Sequence, residues 1–309
     1  MAIFYDTNSL PQFNKPSITI GTFDGVHLGH KTILKELSRH AREAGGESVV
    51  ITFEPHPRKL LFPQQSLKLI TPLQDKLQLI SDAGIQHIVV VPFTRDFADM
   101  PARGYVEHFL VAKFHPERIV IGYDHHFGQD RTGNIQLLRQ LQQEFGYQVF
   151  EIPAQLIDEA AVSSTKIRNA LTEGMVADAA QMLGRNYCLK GTVIKGKSLG
   201  RTIGYPTANI QPSDADQLVP SNGIYAVQVE WKERSMGGML SIGFNPTVTD
   251  EGVRHIEVNI FDFDEDLYGE LLEISFVQWL RSEEKFPSLE ALKSQLAEDE
   301  RRSREILGC

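Results

Sequence analysis

Residues 21–30 read GTFDGVHLGH and lie between a short β-type run, residues 17–20, and a stretch with helical periodicity. Three glycines in this segment, Gly21, Gly25 and Gly29, permit tight turning and a close approach of the backbone to a ligand. The helix that follows would direct its unpaired N–H groups and the positive end of its dipole at the turn. The segment therefore predicts a phosphate-binding turn between a strand and a helix.

Two histidines of this segment, three residues apart, can face one spot once the helix has begun. Imidazoles beside a helix N-terminus suit the charge that develops on a phosphate under attack. Neither GxxxxGK[ST] nor GxGxxG occurs here, which argues against a Walker A loop and a dinucleotide-binding turn. The alternative is a structural turn whose histidines only cap the helix. The catalytic candidates are His27 and His30, and the candidates for ATP or phosphate binding are Gly21, Phe23 and Gly29.

The first half of the chain alternates strand and helix patterns, which predicts an open, largely parallel sheet with helices on both faces. The predicted strands are residues 17–20, 48–53, 87–93, 118–122 and 148–152, and the predicted helices are 71–83, 105–112 and 135–145.

From Tyr187 onward, short strands separated by Gly and Pro predict a small β-barrel. A helix over 175–183, ended by Gly184, connects the halves, so we expect domains at 1–185 and 186–309. The predicted strands are residues 189–194, 223–230, 239–243, 255–261 and 271–279. A closing helix capped by Ser288 is expected to pack Leu289, Leu292 and Leu296 on the barrel.

The composition is that of an ordinary globular protein of 309 residues with a formal net charge of -9. This acidic balance argues against a nucleic-acid partner, which requires a basic face. The two cysteines are not in a CxxC spacing, so neither a disulfide framework nor a zinc site is expected. We find no secretory signal and no apolar run long enough to span a bilayer, and expect a soluble, cytoplasmic protein without a membrane partner.

A second phosphate motif, VSSTKIRNAL, occupies residues 162–171. Either Ser163 or Ser164 can cap a helix, with Thr165 in its first turn and Arg168 one turn further on. Such a helix start gathers amide donors, hydroxyls and a cation around a triphosphate. The alternative for this segment alone is an ordinary capped helix.

A third motif, KGTVIKGKSLGRTIGYPTANI, occupies residues 190–210. Its four glycines make a loop whose backbone could close over phosphates, and its final PTAN segment is extended. Thr207 and Asn209 place a hydroxyl and an amide oxygen at alternate positions, and both are hard oxygen ligands suited to Mg²⁺ held by ATP phosphates. The alternative is that these glycines serve only the backbone conformation of a barrel turn.

HxGH after a first strand, together with SSTKIR, resembles the nucleotidyltransferase superfamily that joins a phosphate ester to a nucleotide and releases pyrophosphate. Residues 52–61 (TFEPHPRKLL) and 121–134 (IGYDHHFGQDRTGN) resemble the adenylyltransferase half of bacterial bifunctional riboflavin kinase/FAD synthetases. This resemblance implies that Asp124, Phe127 and Gly128 bind FMN or nucleotide. Taken alone, the residues around His56 and the pair His125–His126 could equally be solvent-facing.

The third motif resembles flavokinases, as do GIYAV (223–227), IGFNPTV (242–248) and EVNIFDFDEDLYGELL (257–272). The resemblance implies that Glu257 is the general base. The alternative, if the resemblance of the surrounding residues is set aside, is a surface carboxylate on a barrel strand. The implied ATP- or flavin-binding residues are Gly191, Lys197, Gly200, Gly204, Pro206 and Asn245, with Thr207 and Asn209 as metal ligands.

The resemblance implies a Rossmann-like nucleotidyltransferase α/β domain followed by a small Greek-key β-barrel flavokinase domain with a closing helix. It implies that riboflavin is phosphorylated to FMN and that FMN is adenylylated to FAD, with ATP and Mg²⁺ (as its complex) used in both steps. The alternatives are a monofunctional flavokinase and a non-catalytic flavin-binding regulator or carrier. The expected partners are therefore small molecules, flavin and ATP, and the oligomeric state is left open, a monomer included.

Overall fold

The structure is a computed structural model that describes residues 2–153, 162–196, 200, 203–244 and 254–309. The chain forms two compact units, Met1–Ser164 and Thr165–Cys309.

The first unit is built on a six-stranded parallel sheet with the strand order β1-β4-β3-β2-β5-β6. Its central strands, residues 17–20 and 48–54, are almost completely buried and rich in the β-branched residues Val, Ile and Thr, as expected of a parallel sheet covered on both faces. The chain proceeds outward from β2 through β3 and β4 and then returns to β5 on the other side of β2. Ligands bind at the carboxyl ends of strands beside such a reversal. The strands are β1 (Ala2–Phe4), β2 (Ser17–Ile20), β3 (Ser48–Glu54), β4 (His87–Pro92), β5 (Arg118–Gly122) and β6 (Gln148–Ile152).

Two clusters of buried hydrophobic side chains form the core of this unit, and each contains residues of the sheet and of the helices. The described helices are α1 (Leu28–Ala44), α2 (Pro57–Leu61), α3 (Leu73–Asp82), α4 (Arg95–Ala98), α5 (Ala102–Gly104), α6 (Ala112–Phe114) and α7 (Ile135–Phe145), with 3₁₀ turns at Pro63–Gln65 and Gln129–Arg131. The segment predicted as a helix over 105–112 is helical, but Tyr105–Val111 is a π-helix between α5 and α6.

The second unit is a closed antiparallel barrel with the strand order β10-β11-β8-β7-β12-β9. Side chains along β7 alternate between buried and half-buried, as the wall of a filled barrel requires. The strands are β7 (Tyr187–Ile194), β8 (Ala208–Pro212), β9 (Gly223–Trp231), β10 (Arg234–Phe244), β11 (Arg254–Ile260) and β12 (Leu271–Arg281), and the helices are α8 (Ser164–Thr172, whose first residue ends the first unit), α9 (Val176–Leu183) and α10 (Leu289–Leu307).

The closing helix α10 differs from the prediction in what it buries. Ser288 caps it as expected, because its Oγ accepts a hydrogen bond of 3.1 Å from the N–H of Ala291. Leu289, however, is 49% exposed, so its expected packing on the barrel is wrong. The buried residues of the helix are Asp299 and Ser303. The fully buried Asp299 carboxylate accepts hydrogen bonds from Arg281 at the end of β12, the shortest being 2.7 Å from Nη2.

Candidate active sites

The turn after β2 holds an unusual backbone conformation. Phe23 and Val26 both have positive φ angles, 50° and 39°, and so does Gly25 at 90°. A positive φ at a bulky residue is strained, and such strain persists where the surrounding structure over-determines it. The N–H of Val26 donates to the carbonyl of Phe23 at 3.1 Å and closes the turn. The strain therefore marks this turn as a candidate functional element.

Asp24 fixes this turn to its neighbours from a buried position. Its Oδ1 accepts hydrogen bonds of 3.0 Å from the N–H groups of Ile70 and Thr71, just before α3. Its backbone carbonyl accepts a hydrogen bond of 2.9 Å from the Oγ of Ser164. The first residue of α8 thus contacts the segment GTFDGVHLGH, residues 21–30, which is the first of the three motifs. Ser163 directly precedes this helix, Thr165 lies in its first turn and Arg168 in its second.

The two candidate catalytic histidines lie against each other at the start of α1. His27 is the N-cap, and its Nδ1 accepts a hydrogen bond of 3.3 Å from the N–H of His30. The two rings stack with centroids 3.7 Å apart, and the ring of Phe23 meets His30 edge-on at 5.1 Å. Gly21 leaves room for the ring of Phe23, because a Cβ at Gly21 would lie only 3.0 Å from that ring. Gly29 is buried in the first turn of α1.

The imidazole of His30 is held in its uncharged form. Burial lowers the pKa of His30 well below its usual range, and the positive charges of His27 and Lys76 lower this pKa further. Its Nδ1 is buried and has no hydrogen-bond partner among the described residues. A neutral imidazole has one N–H donor and one acceptor. At neutral pH, His30 therefore offers a hydrogen-bond donor rather than a full positive charge.

The loop after β5 presents Asp124 to solvent and turns Phe127 inward. Phe127 is 6% exposed, and its ring stacks on Tyr105 with centroids 5.1 Å apart. Phe127 and Gly133 exchange two backbone hydrogen bonds, of 3.1 and 2.9 Å, which close the loop. Gly128 has a φ of 71°, and a Cβ there would clash with the backbone of Ala102. Of the three residues predicted to bind FMN or nucleotide, Asp124 is exposed, Gly128 is half-buried and Phe127 is buried.

Within the barrel, the candidate base and one candidate metal ligand lie in direct contact. The Oγ1 of Thr207 donates a hydrogen bond of 3.0 Å to Oε2 of Glu257. Glu257 on β11 is paired in register with Asn209 on β8. The Nδ2 of Asn259 donates to the carbonyl of Pro206 at 2.7 Å and fixes the start of the PTAN segment. The structure thus brings Glu257 to Thr207 and Asn209, which precede it in the chain by about 50 residues.

Glycines let the loop before PTAN approach these side chains. A Cβ at Gly196 would clash with the side-chain amide of Asn209, and a Cβ at Gly200 would clash with the carbonyl of Tyr205. Gly204 has a φ of 93°, which strains any residue with a Cβ. Gly191 lies in β7, close against β8. Two further predicted site residues, Lys197 and Asn245, lie outside the described residues.

Two family models match the chain in tandem. The model for FAD synthetase matches residues 10–166, and the model for riboflavin kinase matches residues 183–307. A bifunctional riboflavin kinase/FMN adenylyltransferase of Listeria monocytogenes is 39% identical over 93% of this chain and 91% of its own length. The chain belongs to this bifunctional family. The family member of Escherichia coli K12 is 35% identical over 94% of this chain and 92% of its own length.

The chain resembles, over almost its whole length, the crystal structure of a Streptococcus pneumoniae protein named a macrolide-efflux protein. The match is 31% identical, covers 98% of each chain and has a TM-score of 0.86. Among the residues described for this chain, no helix is long and apolar enough to cross a membrane. The Rossmann-like unit and the barrel unit that the sequence predicted are thereby confirmed as those of the bifunctional family.

Two residues near His27 and His30 were not predicted, although one of them has a signal in the sequence. Lys76 falls on the apolar face of α3, between Leu73 and Leu77, where a charged residue is unexpected. Asp24 lies inside the glycine-containing segment 21–30, but the residues that its carboxylate binds are 46 and 47 positions further along the chain, where no local pattern reaches.

Proposed function

We propose that the chain phosphorylates riboflavin to FMN in its C-terminal part and adenylylates FMN to FAD in its N-terminal part. The contact between Thr207 and Glu257, with Asn209 opposite Glu257 in the barrel, carries the kinase assignment. The stacked pair His27–His30 at a helix start carries the adenylyltransferase assignment. Each of the two matched family regions thus contains a polar centre of its own.

In the kinase step, Glu257 accepts the proton of the terminal ribityl hydroxyl of riboflavin. The freed oxygen attacks the γ-phosphorus of ATP, and ADP leaves. A carboxylate already bound to a neighbouring hydroxyl is placed to accept such a proton. Phosphoryl transfer requires little covalent chemistry of the protein, so positioning by the glycine loop and by Thr207 and Asn209 supplies the rest.

In the adenylyl step, a phosphate oxygen of FMN attacks the α-phosphorus of ATP, and pyrophosphate leaves. His27 and His30 stabilise the charge that builds on the α-phosphate, because imidazole N–H groups and the backbone N–H groups at the start of α1 can donate to phosphate oxygens. Ser163, Ser164, Thr165 and Arg168 bind the departing phosphates, and Asp124 faces FMN.

Magnesium would enter as the ATP complex and offset the charge of the phosphates. The hydroxyl of Thr207, the amide oxygen of Asn209 and the carboxylate of Glu257 are hard oxygen donors that fit this ion. ATP and flavins are then the partners of the enzyme, with no nucleic acid and no membrane among them. We propose a cytoplasmic location, where ATP is available, and place the boundary between the two activities at residue 185.

One assay tests the proposal. Purified protein is incubated with riboflavin, ATP and Mg²⁺, and the products are separated by chromatography. We expect FMN first and FAD later. FMN without FAD would leave a monofunctional flavokinase, and riboflavin bound but unchanged would leave a flavin carrier.

A further inference from the structure

Lys76 is a buried lysine at the edge of the proposed adenylyltransferase site. It lies on α3 and is 5% exposed. Its Nζ donates to the carbonyl of Thr22, in the turn after β2, at 3.3 Å and to the carbonyl of Phe53, in β3, at 3.4 Å. These contacts join the turn that leads to the two histidines to the neighbouring strand of the sheet.

The charge of Lys76 is only partly compensated. Both of its carbonyl contacts are long for hydrogen bonds to an ammonium group. Among the described residues, no carboxylate comes within 4 Å of its Nζ, and the charges of Glu54 and Asp24 act on it from further away. Burying a charge without a direct counter-ion is costly. Such a cost is understandable where a negatively charged ligand supplies the compensation.

We propose that Lys76 is a positioning residue for adenylyl transfer, which ties the turn of the first motif to β3 and holds a positive charge beside the histidines where the substrate phosphates arrive. This inference rests on the proposed adenylyltransferase function. Because Lys76 is almost completely buried, it acts through the turn and through its field rather than by contact with ATP.

The electrostatic surroundings of His30 agree with this role. Burial is the largest cause of the lowered pKa of His30, followed by the charges of His27 and Lys76. Burial also lowers the pKa of Lys76, while Glu54 and Asp24 raise it. Removing the ammonium of Lys76 removes one of the charges that lower the pKa of His30, so we expect this pKa to rise.

Three variants separate the charge of Lys76 from its packing. Lys76→Met removes the charge at similar length, and Lys76→Arg keeps it. Lys35→Met removes an exposed lysine of α1 and serves as the matched control. We expect Lys76→Met to lower kcat for FAD formation from FMN by about tenfold or more, less than the loss of a direct donor to the transition state. KM for ATP changes little, because the effect falls on the transition state.

FMN formation from riboflavin, measured on the same protein, is the internal reference and stays at the wild-type rate in Lys76→Met. Lys76→Arg retains most of its FAD formation, and Lys35→Met retains all of it. The unfolding temperature of Lys76→Met is not lowered, since replacing a buried charge by an apolar side chain is often neutral or stabilising.

A second measurement does not depend on activity. NMR of labelled histidine rings follows the titration of His30, and we expect its midpoint to move to higher pH in Lys76→Met but not in Lys76→Arg or Lys35→Met. Wild-type kcat for FAD formation in Lys76→Met would overturn the proposal, whatever the titration. Equal loss of both activities with a lowered unfolding temperature would also overturn it, because Lys76 would then be merely structural. If the wild-type protein made no FAD, the proposed function would fail, while the titration would still decide whether Lys76 acts on His30.

Discussion

The carboxylate of Glu257 lies 3.0 Å from the hydroxyl of Thr207, and its replacement by an amide removes the base while keeping the shape. We expect Glu257→Gln to lower FMN formation by about 10²–10⁴-fold, the usual contribution of a general base. FAD formation from supplied FMN should persist, because it uses other residues. Both rates are measured on one preparation, and loss of the two together in a folded protein would contradict the assignment.

His30→Ala should have the opposite effect. Its stacked contact with His27 is lost, and with it one donor to the charged transition state. Loss of one such donor costs about 10²–10³-fold in kcat. FAD formation from FMN should fall by that order, while riboflavin is still converted to FMN. A variant that still made FAD at the wild-type rate would remove His30 from the mechanism.

We expect His125 to make the folded chain sensitive to acid. Its Nε2 is buried without a hydrogen-bond partner in the described part of the chain, and burial lowers its pKa from 6.5 to about 4. The unfolded chain binds the proton near pH 6.5 and the folded chain only near pH 4. The contribution of neutral His125 to the free energy of unfolding is therefore fully present above pH 6.5. Below pH 6.5 the free energy of unfolding falls by up to about 1.4 kcal/mol per pH unit.

Replacing this imidazole by a ring that cannot be protonated should remove the loss. In denaturant titrations at pH 7 and pH 5, His125→Phe should lose less stability on acidification than the wild-type protein. The exposed neighbour provides the control, since His126→Phe should behave as the wild type. Equal acid sensitivity in all three proteins would show that His125 is not the responsible group.

Among the elements, α10 depends on a buried ion pair with the barrel strand β12. Asp299 is fully buried and accepts hydrogen bonds from both Nε and Nη2 of Arg281. Removing one partner of a buried pair leaves an uncompensated charge and costs about 3–5 kcal/mol. We expect Asp299→Ala to lower the free energy of unfolding of the barrel unit by that order in denaturant titrations.

The same helix offers the matched control. Arg304 also pairs with a carboxylate of the barrel, that of Asp262, but the Asp262 side chain is 79% exposed. An exposed pair contributes about 0–1 kcal/mol, so Asp262→Ala should change stability little. Equal effects of the two substitutions would mean that burial does not set the strength of these pairs.

The sequence predicted elements well where the pattern is local and poorly where distant contacts decide. The helix over 135–145 is confirmed to the residue, because Asn134 caps it and Gly146 ends it in a left-handed conformation. The strand Ala208–Pro212 was anticipated only as an extended segment, since its pairing depends on β7 and β11. The side-chain contacts of Asp24 and Lys76 could not be predicted for the same reason, because the residues that they bind lie 23 to 54 positions away. Only the place of Lys76 on the apolar face of α3 had a signal in the sequence.

For the whole molecule, the two proposed centres use separate residues, so two inactivated proteins should complement each other. By the predictions above, Glu257→Gln should make FMN very slowly, and His30→Ala should use FMN very slowly. A mixture of the two should convert riboflavin to FAD, because FMN released by His30→Ala can reach the intact second site of Glu257→Gln. Chromatography of the mixture against each variant alone measures this. Accumulation of FMN in the mixture would show that FMN passes to the second site only within one chain.

The closure of the barrel also determines how its amides exchange with deuterium. A closed barrel has no terminal strand from which pairing can fray. Its ladders differ in length, however, because β9 and β10 pair over nine residues whereas, among the described residues, β8 and β11 pair over two. Opening should begin at this short seam, with its amides exchanging before the long ladders. We therefore expect Asn209 and Glu257 to lie on the pair of strands that opens first.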